Sequence, residues 1–172
     1  MSRPPSIILH IPHSSRFIPK ALRPSFLPSQ ARLDHELLLM TDAFTDELVQ
    51  PFSMAAERIV FPVSRLVVDP ERFPDDAVEP MAQKGMGATY TKLSSGEPLR
   101  RLTLDDRATL MSAYYYPHHA KLSAAVKAAL DEHGHCLIVD VHSFGSVPLP
   151  HEPDQSVNRP EICIGFDAFH SP

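Results

Sequence analysis

Proline constrains this chain more than any other feature. It carries 18 prolines against only 6 glycines in 172 residues. Each proline fixes its own φ and pushes the preceding residue towards extended backbone. Much of the chain must therefore run as turns and extended loops. The periodic stretches between the prolines set the architecture.

Ile7-Ile-Leu-His-Ile11 is a short apolar run closed by Pro12, which predicts a buried strand followed by a loop through Pro12-His-Ser-Ser15. Leu33, Leu37, Leu38, Met40, Phe44, Leu48 and Val49 recur at helical spacing, with Thr41 or Asp42 available to cap a new helix. Ile59-Val-Phe61 and Leu66-Val-Val68 read as strands. Residues 70–100 hold Pro70, Pro74, Pro80, Pro98, Gly85, Gly87 and Gly96. Irregular segments of that length in a compact domain are usually functional or disordered. Thr103-Leu-Asp-Asp106 resembles a capping box, and the pattern behind it predicts a helix to His133 with Gly134 as its C-cap. Pro117 predicts a kink or a division into two helices. Cys136-Leu-Ile-Val-Asp-Val141 is the strongest strand, and Ile162-Cys-Ile-Gly165 reads as another. This order predicts an α/β fold in a single domain over residues 1–172, with a mixed, largely parallel sheet flanked by helices. The chain reaches Pro172 soon after the last strand, without the closing helix such a sheet calls for.

Composition narrows the function classes. A content of 43% hydrophobic and 22% charged residues fits a soluble globular domain. No apolar run approaches the roughly 20 residues of a membrane helix, and the N-terminal apolar stretch is too short for a secretory signal. A cytoplasmic location is the default, with no membrane partner. The net charge of −5, without a basic block, argues against nucleic acid. Cys136 and Cys163 each sit in an apolar run and read as buried free thiols.

Histidine carries the chemistry. In open α/β sheets ligands bind beyond the carboxyl ends of strands. His13 follows the first predicted strand, and His142 follows the strongest one. If those strands are neighbours, both imidazoles enter one crevice. Two His and one carboxylate, with a position open for water, is a common catalytic zinc set. Asp140 lies two residues before His142, on the same strand face, where a carboxylate can accept the outer N–H of a metal-bound imidazole. Arg65 and Arg72 bracket a predicted strand, and arginine forks suit carboxylates. His10 reads as a core or supporting residue. Of His118 and His119, adjacent on the long helix, at most one is expected to point inward. Neither a G-x-S-x-G elbow nor a phosphate-binding loop is present.

Leu9-His-Ile-Pro-His-Ser-Ser15, Thr41-Asp42, Ser64-Arg-Leu-Val-Val-Asp-Pro-Glu-Arg-Phe-Pro-Asp-Asp76, Gly85-Met-Gly-Ala-Thr-Tyr90 and Asp140-Val-His-Ser-Phe144 occur here in one order. Together they resemble the N-formylglutamate amidohydrolase family over almost the whole chain. The resemblance implies a fold like that of zinc carboxypeptidases and aspartoacylases. It implies a zinc hydrolase that splits the formyl amide of N-formylglutamate, or of a related N-acyl amino acid, at the end of histidine breakdown. Carried over by position, the metal ligands are His13, Asp42 and His142, with Asp46 or Asp34 as fallbacks for the carboxylate. Arg65 and Arg72 bind the substrate and Arg65 also polarises its carbonyl, with Tyr90 beside them. His119 matches a helical histidine of the family and is grouped with the catalytic residues. Glu71 stands where aspartoacylases have Asn.

Family members continue well beyond the Ile162–Gly165 run and place a general-base Glu there. The resemblance therefore implies a chain lacking the C-terminal part of the family fold. Glu79 or Glu71 is then the candidate substitute base. A non-catalytic relative that binds metal or an acidic metabolite is the rival reading.

Overall fold

The computed structural model describes residues 5–52, 55–149, 152 and 154–165. Strands β1 (Ile7–Ile11), β2 (Glu57–Val60) and β3 (Leu137–Asp140) form a sheet in the order β2-β1-β3. Both pairings are parallel: Ile8 lies opposite Glu57, and His10 lies opposite Asp140. The mostly apolar run that predicted β1 is explained by its central place. Alternation along β1 divides its side chains between the two sheet faces. Ile8 packs with Ile59 and with Ala125 of the long helix, while Leu9 and Ile11 pack with Val49, Ala56 and Val141.

Helix α1 (Gln30–Met40) begins at Ser29, whose side chain accepts the Arg32 N–H. It buries Leu33, Leu37 and Met40, and ends where Thr41 turns its hydroxyl back onto the Leu37 carbonyl. A short α2 (Thr45–Leu48) follows, entered through Phe44 at φ 65°, so the residue at its N-cap is neither Thr41 nor Asp42. The second helical region is α3 (Leu104–Leu110), a π-helical turn (Met111–Tyr115) and α4 (Tyr116–His133). The capping box is complete, with Thr103 and Asp106 each accepting the other's backbone N–H. A cap of this kind is worth about 1 kcal/mol. Gly134 closes α4 at φ 73°, as its position predicts. Pro117 does divide the helix. It has no N–H for a carbonyl in the preceding turn, and the wider π turn occupies that stretch.

Two predicted strands are absent. Leu66–Val68 forms a fully buried turn, with the Val67 N–H donating to the Ser64 carbonyl. Its apolar character reflects the core beneath it. Residues 162–165 have no ladder partner among the described residues, and Ile162 and Ile164 are exposed. The cysteines also depart from expectation: Cys163 is exposed and Cys136 half-buried. Short apolar runs report hydrophobicity, and neither burial nor ladder pairing follows from it.

The largest core lies beside the sheet. It joins α1 to the irregular segment through Phe61, Leu66, Met86, Tyr90, Leu93 and Leu99. Residues 70–100 are thus irregular but well packed. Arg100 is buried there, donating to the carbonyls of Tyr90 (2.8 Å) and Val67 (2.5 Å), with Phe26 stacked against it. Gly85, at φ 74°, accepts from the Thr91 N–H. A Cβ on Gly87 would meet Asp76 at 2.8 Å, and Asp76 binds Arg107 of α3. The glycines of the Gly85–Tyr90 stretch therefore serve the chain path.

Candidate metal and substrate site

The site forms where β1 and β3 end. Pro12 offers no ladder donor, so the chain leaves the sheet. The His13 carbonyl then accepts the Asp42 N–H at 3.0 Å, which ties the end of α1 to this loop. On β3 the Val141 N–H continues the parallel ladder onto the His10 carbonyl, delivering His142 beyond the edge. The rings of His13 and His142 lie 5.5 Å apart. Adjacent parallel strands bring the two histidines into one crevice, as the strand-end argument requires.

Asp69 organises the site from behind. It is fully buried and takes donors on both oxygens. Oδ1 accepts from His13 Nε2 at 2.9 Å and from the Glu71 N–H at 3.0 Å. Oδ2 accepts from Arg65 Nη2 at 2.8 Å, Arg65 Nε at 3.1 Å and the Tyr90 hydroxyl at 2.9 Å. Burial alone would raise the Asp69 pKa. The Arg65 charge and the His13 contact outweigh it and hold the carboxyl below the usual carboxylate range. An ionised Asp69 requires a proton on His13 Nε2, and in the neutral ring that tautomer has its lone pair on Nδ1. That Nδ1 is buried and has no hydrogen-bond partner. It faces Glu71 Oε2 at 3.4 Å and Asp42 Oδ2 at 3.7 Å. A buried imidazole nitrogen left open towards two carboxylates is the arrangement a cation completes.

His142 lies between the same carboxylates. Its Nδ1 is 2.8 Å from Asp42 Oδ2, and its Nε2 is 3.2 Å from Glu71 Oε1. The Asp42 hydrogen bond first, and then Glu71, raise its pKa to about 10. Burial pushes the Asp42 carboxyl up, but His13, His142 and Arg65 bring it down to about 2. His13, Glu71 and His142 each bring one ligand atom within 4.8 Å of the others. Asp42, the expected carboxylate ligand, hydrogen-bonds His142 and lies 3.7 Å from His13, and Glu71 is a second carboxylate within reach of both rings. Neither fallback joins them. Asp34 is exposed and accepts from Gln30, and the Asp46 carbonyl binds Arg58.

A cavity of about 490 Å³ opens over these groups, lined by Asp42, Arg65, Arg72 and His142 with apolar Leu38 and Phe144 among its walls. Both arginines line this cavity. The Arg72 Nε is buried without a hydrogen-bond partner and lies 3.5 Å from Asp69 Oδ2. Tyr90 does not reach it. Its hydroxyl is committed to Asp69, and burial followed by the Asp69 charge raises its pKa, so it stays protonated. Glu79 accepts the N–H groups of Phe73 and Met81 and does not line the cavity.

Asp140 makes its hydrogen bond to His10 Nδ1, its cross-strand neighbour, and none to His142. The His10 contact lowers its pKa. His10 Nε2 meets His118 Nε2 at 2.7 Å. Burial, and then the positive potential of His10, lower the His118 pKa to about 4. His118 and His119 both turn towards the protein, on different partners: His119 Nε2 donates to the Pro70 carbonyl at 2.8 Å.

Sequence reasoning missed Asp69 as the organiser of the site. Its signal was its place four residues after Arg65 and three before Arg72, within a stretch singled out for its arginines.

The chain matches the family model for N-formylglutamate amidohydrolase over residues 6–171. Among solved structures, the crystal structure of N-formylglutamate amidohydrolase from Ralstonia eutropha JMP134 has the same fold, with a TM-score of 0.72 at 20% sequence identity. The similarity covers 83% of this chain and 55% of that one, so the chain spans little more than half of that protein's length. No curated protein sequence matches the chain.

Proposed function

Because the chain belongs to the N-formylglutamate amidohydrolase family, we propose that it is the zinc-site domain of an enzyme hydrolysing the formyl amide of N-formylglutamate or a related N-acyl amino acid. The observation that carries this reading is the buried, unpartnered Nδ1 of His13, with Nε2 committed to Asp69. In this reading His13, His142 and Glu71 hold the metal, and Asp42 fixes the ring of His142. Zinc in that position supplies Lewis-acid polarisation and a water nucleophile active near neutral pH.

The chain's own groups handle the substrate. Arg72 lines the cavity and orients the amino-acid carboxylate, fixing the amide relative to the histidines. Arg65 uses Nε and Nη2 on Asp69, and its Nη1, ion-paired with Asp42 Oδ1 at 3.9 Å without a hydrogen bond, can donate to the oxygen of the formyl carbonyl as charge develops there. Water adds to the formyl carbon, one of its protons passes to the amide nitrogen, and the C–N bond breaks to release the amine. The products are formate and the free amino acid.

The test is formate release from N-formylglutamate by the zinc-loaded protein, together with zinc content in wild type and a His13→Ala, His142→Ala double variant. The variant is expected to lose the metal. Equal zinc in the two proteins would overturn the ligand assignment.

A further inference from the structure

Asp69–Arg72 puts three site groups into four residues: Asp69 behind His13, Glu71 between the histidines, and Arg72 on the cavity. This stretch is a turn with no ladder to hold it. The carbonyls on either side of Glu71 are instead held from the helix. His119 Nε2 lies 2.8 Å from the Pro70 carbonyl, and the Tyr115 hydroxyl donates to the Arg72 carbonyl at 2.8 Å. A carbonyl only accepts, so His119 carries its proton on Nε2. Tyr115 and His119 are four residues apart, the spacing that places two side chains on one helix face. Their ring centroids lie 4.3 Å apart, with the planes tilted by 42°. Tyr115 is the last residue of the π turn and His119 lies in the first turn of α4. Neither residue lines the cavity.

We propose that Tyr115 and His119 are positioning residues, which act by gripping the Pro70 and Arg72 carbonyls and so aim the Glu71 and Arg72 side chains into the site. This rests on the roles given above to Glu71 and Arg72. The grip on Pro70 fixes the peptide plane entering Glu71, so it governs the metal. The grip on Arg72 fixes the plane leaving Arg72, so it governs the substrate carboxylate. His119, expected among the catalytic residues, acts through the loop.

The test uses Tyr115→Phe, His119→Ala and His119→Gln in the full chain. The zinc Kd is read by competition with a chromophoric chelator. The KM of N-formylglutamate on zinc-loaded protein is read from initial rates of formate release. Loss of one such hydrogen bond corresponds to about a tenfold effect. His119→Ala is expected to weaken zinc about tenfold, and His119→Gln, whose amide can still donate to Pro70, to recover most of it. Tyr115→Phe is expected to raise the KM of N-formylglutamate about tenfold while zinc stays within about threefold. A His119→Gln variant as impaired as His119→Ala, or a zinc Kd and a KM within about twofold of wild type in every variant, would overturn the proposal. Tyr115→Phe removes a single oxygen and decides the matter alone if the alanine variant does not fold. A wild type that binds no zinc is a different result: it refutes the metal reading and takes this inference with it.

Discussion

His13 Nε2 lies 2.9 Å from Asp69 Oδ1, and this one contact decides which nitrogen of His13 faces the site. Asp69→Asn should therefore weaken zinc by about 10- to 100-fold, the usual effect of losing a carboxylate behind a metal-bound histidine. It should also cost about 3–5 kcal/mol of metal-free stability, because Arg65 loses its buried counter-ion. Zinc titration and urea unfolding of the metal-free protein separate the two effects. Unchanged zinc affinity in a folded variant would mean that Asp69 does not set the tautomer.

Zinc binding should release about one proton at neutral pH. His142 stays protonated up to about pH 10 without a metal, and a ligand nitrogen must be neutral. Affinity should rise about tenfold per pH unit until that pKa is passed. The effect on metal-free stability has the opposite sense. A raised histidine pKa contributes stability that is complete below the unfolded value near 6.5 and lost as pH climbs through about 10. Calorimetry in buffers of different ionisation enthalpy counts the proton.

His118 should make the protein acid-sensitive in a definite window. Its pKa falls from 6.5 unfolded to about 4 folded. The unfolded chain therefore binds the extra proton between those values, and stability is present above pH 6.5 and lost on descending towards pH 4. The difference corresponds to about 2–4 kcal/mol. The groups setting it are His10 on β1, with His119 and Lys121 on the same helix. Unfolding curves at several pH values for wild type and His118→Asn isolate its share, and identical pH slopes would exclude it.

Arg72→Ala should raise KM for N-formylglutamate by about tenfold or more and change kcat less. Lysine should not restore it, since an ammonium cannot present two parallel donors to a carboxylate. Formate release measured across substrate concentrations distinguishes the two parameters. A fall in kcat at constant KM would remove Arg72 from carboxylate binding.

What could be read from the chain was local. The apolar run Ile7–Ile11, the Thr103–Asp106 capping box and Gly134 each specify their element through short-range pattern and backbone chemistry. The placement of His13 and His142 was legible too, because a residue just past a strand end projects from the sheet edge wherever that strand lies. Leu66–Val68 misled because a buried turn and a buried strand share the same apolar composition.

The sequence by itself determined the parallel α/β scaffold, the outer limits of the second helical region at Thr103 and Gly134, and the two strand-end histidines. Only the tertiary structure decided how the carboxylates are shared out. Register sets His10 opposite Asp140, so Asp140 pairs across the sheet and leaves His142 to Asp42 and Glu71. Packing of the irregular segment against α1 and the π turn buries Asp69 behind His13. Carboxylates in such clusters are assigned by which neighbours desolvate them and donate to them, and those neighbours lie far apart along the chain.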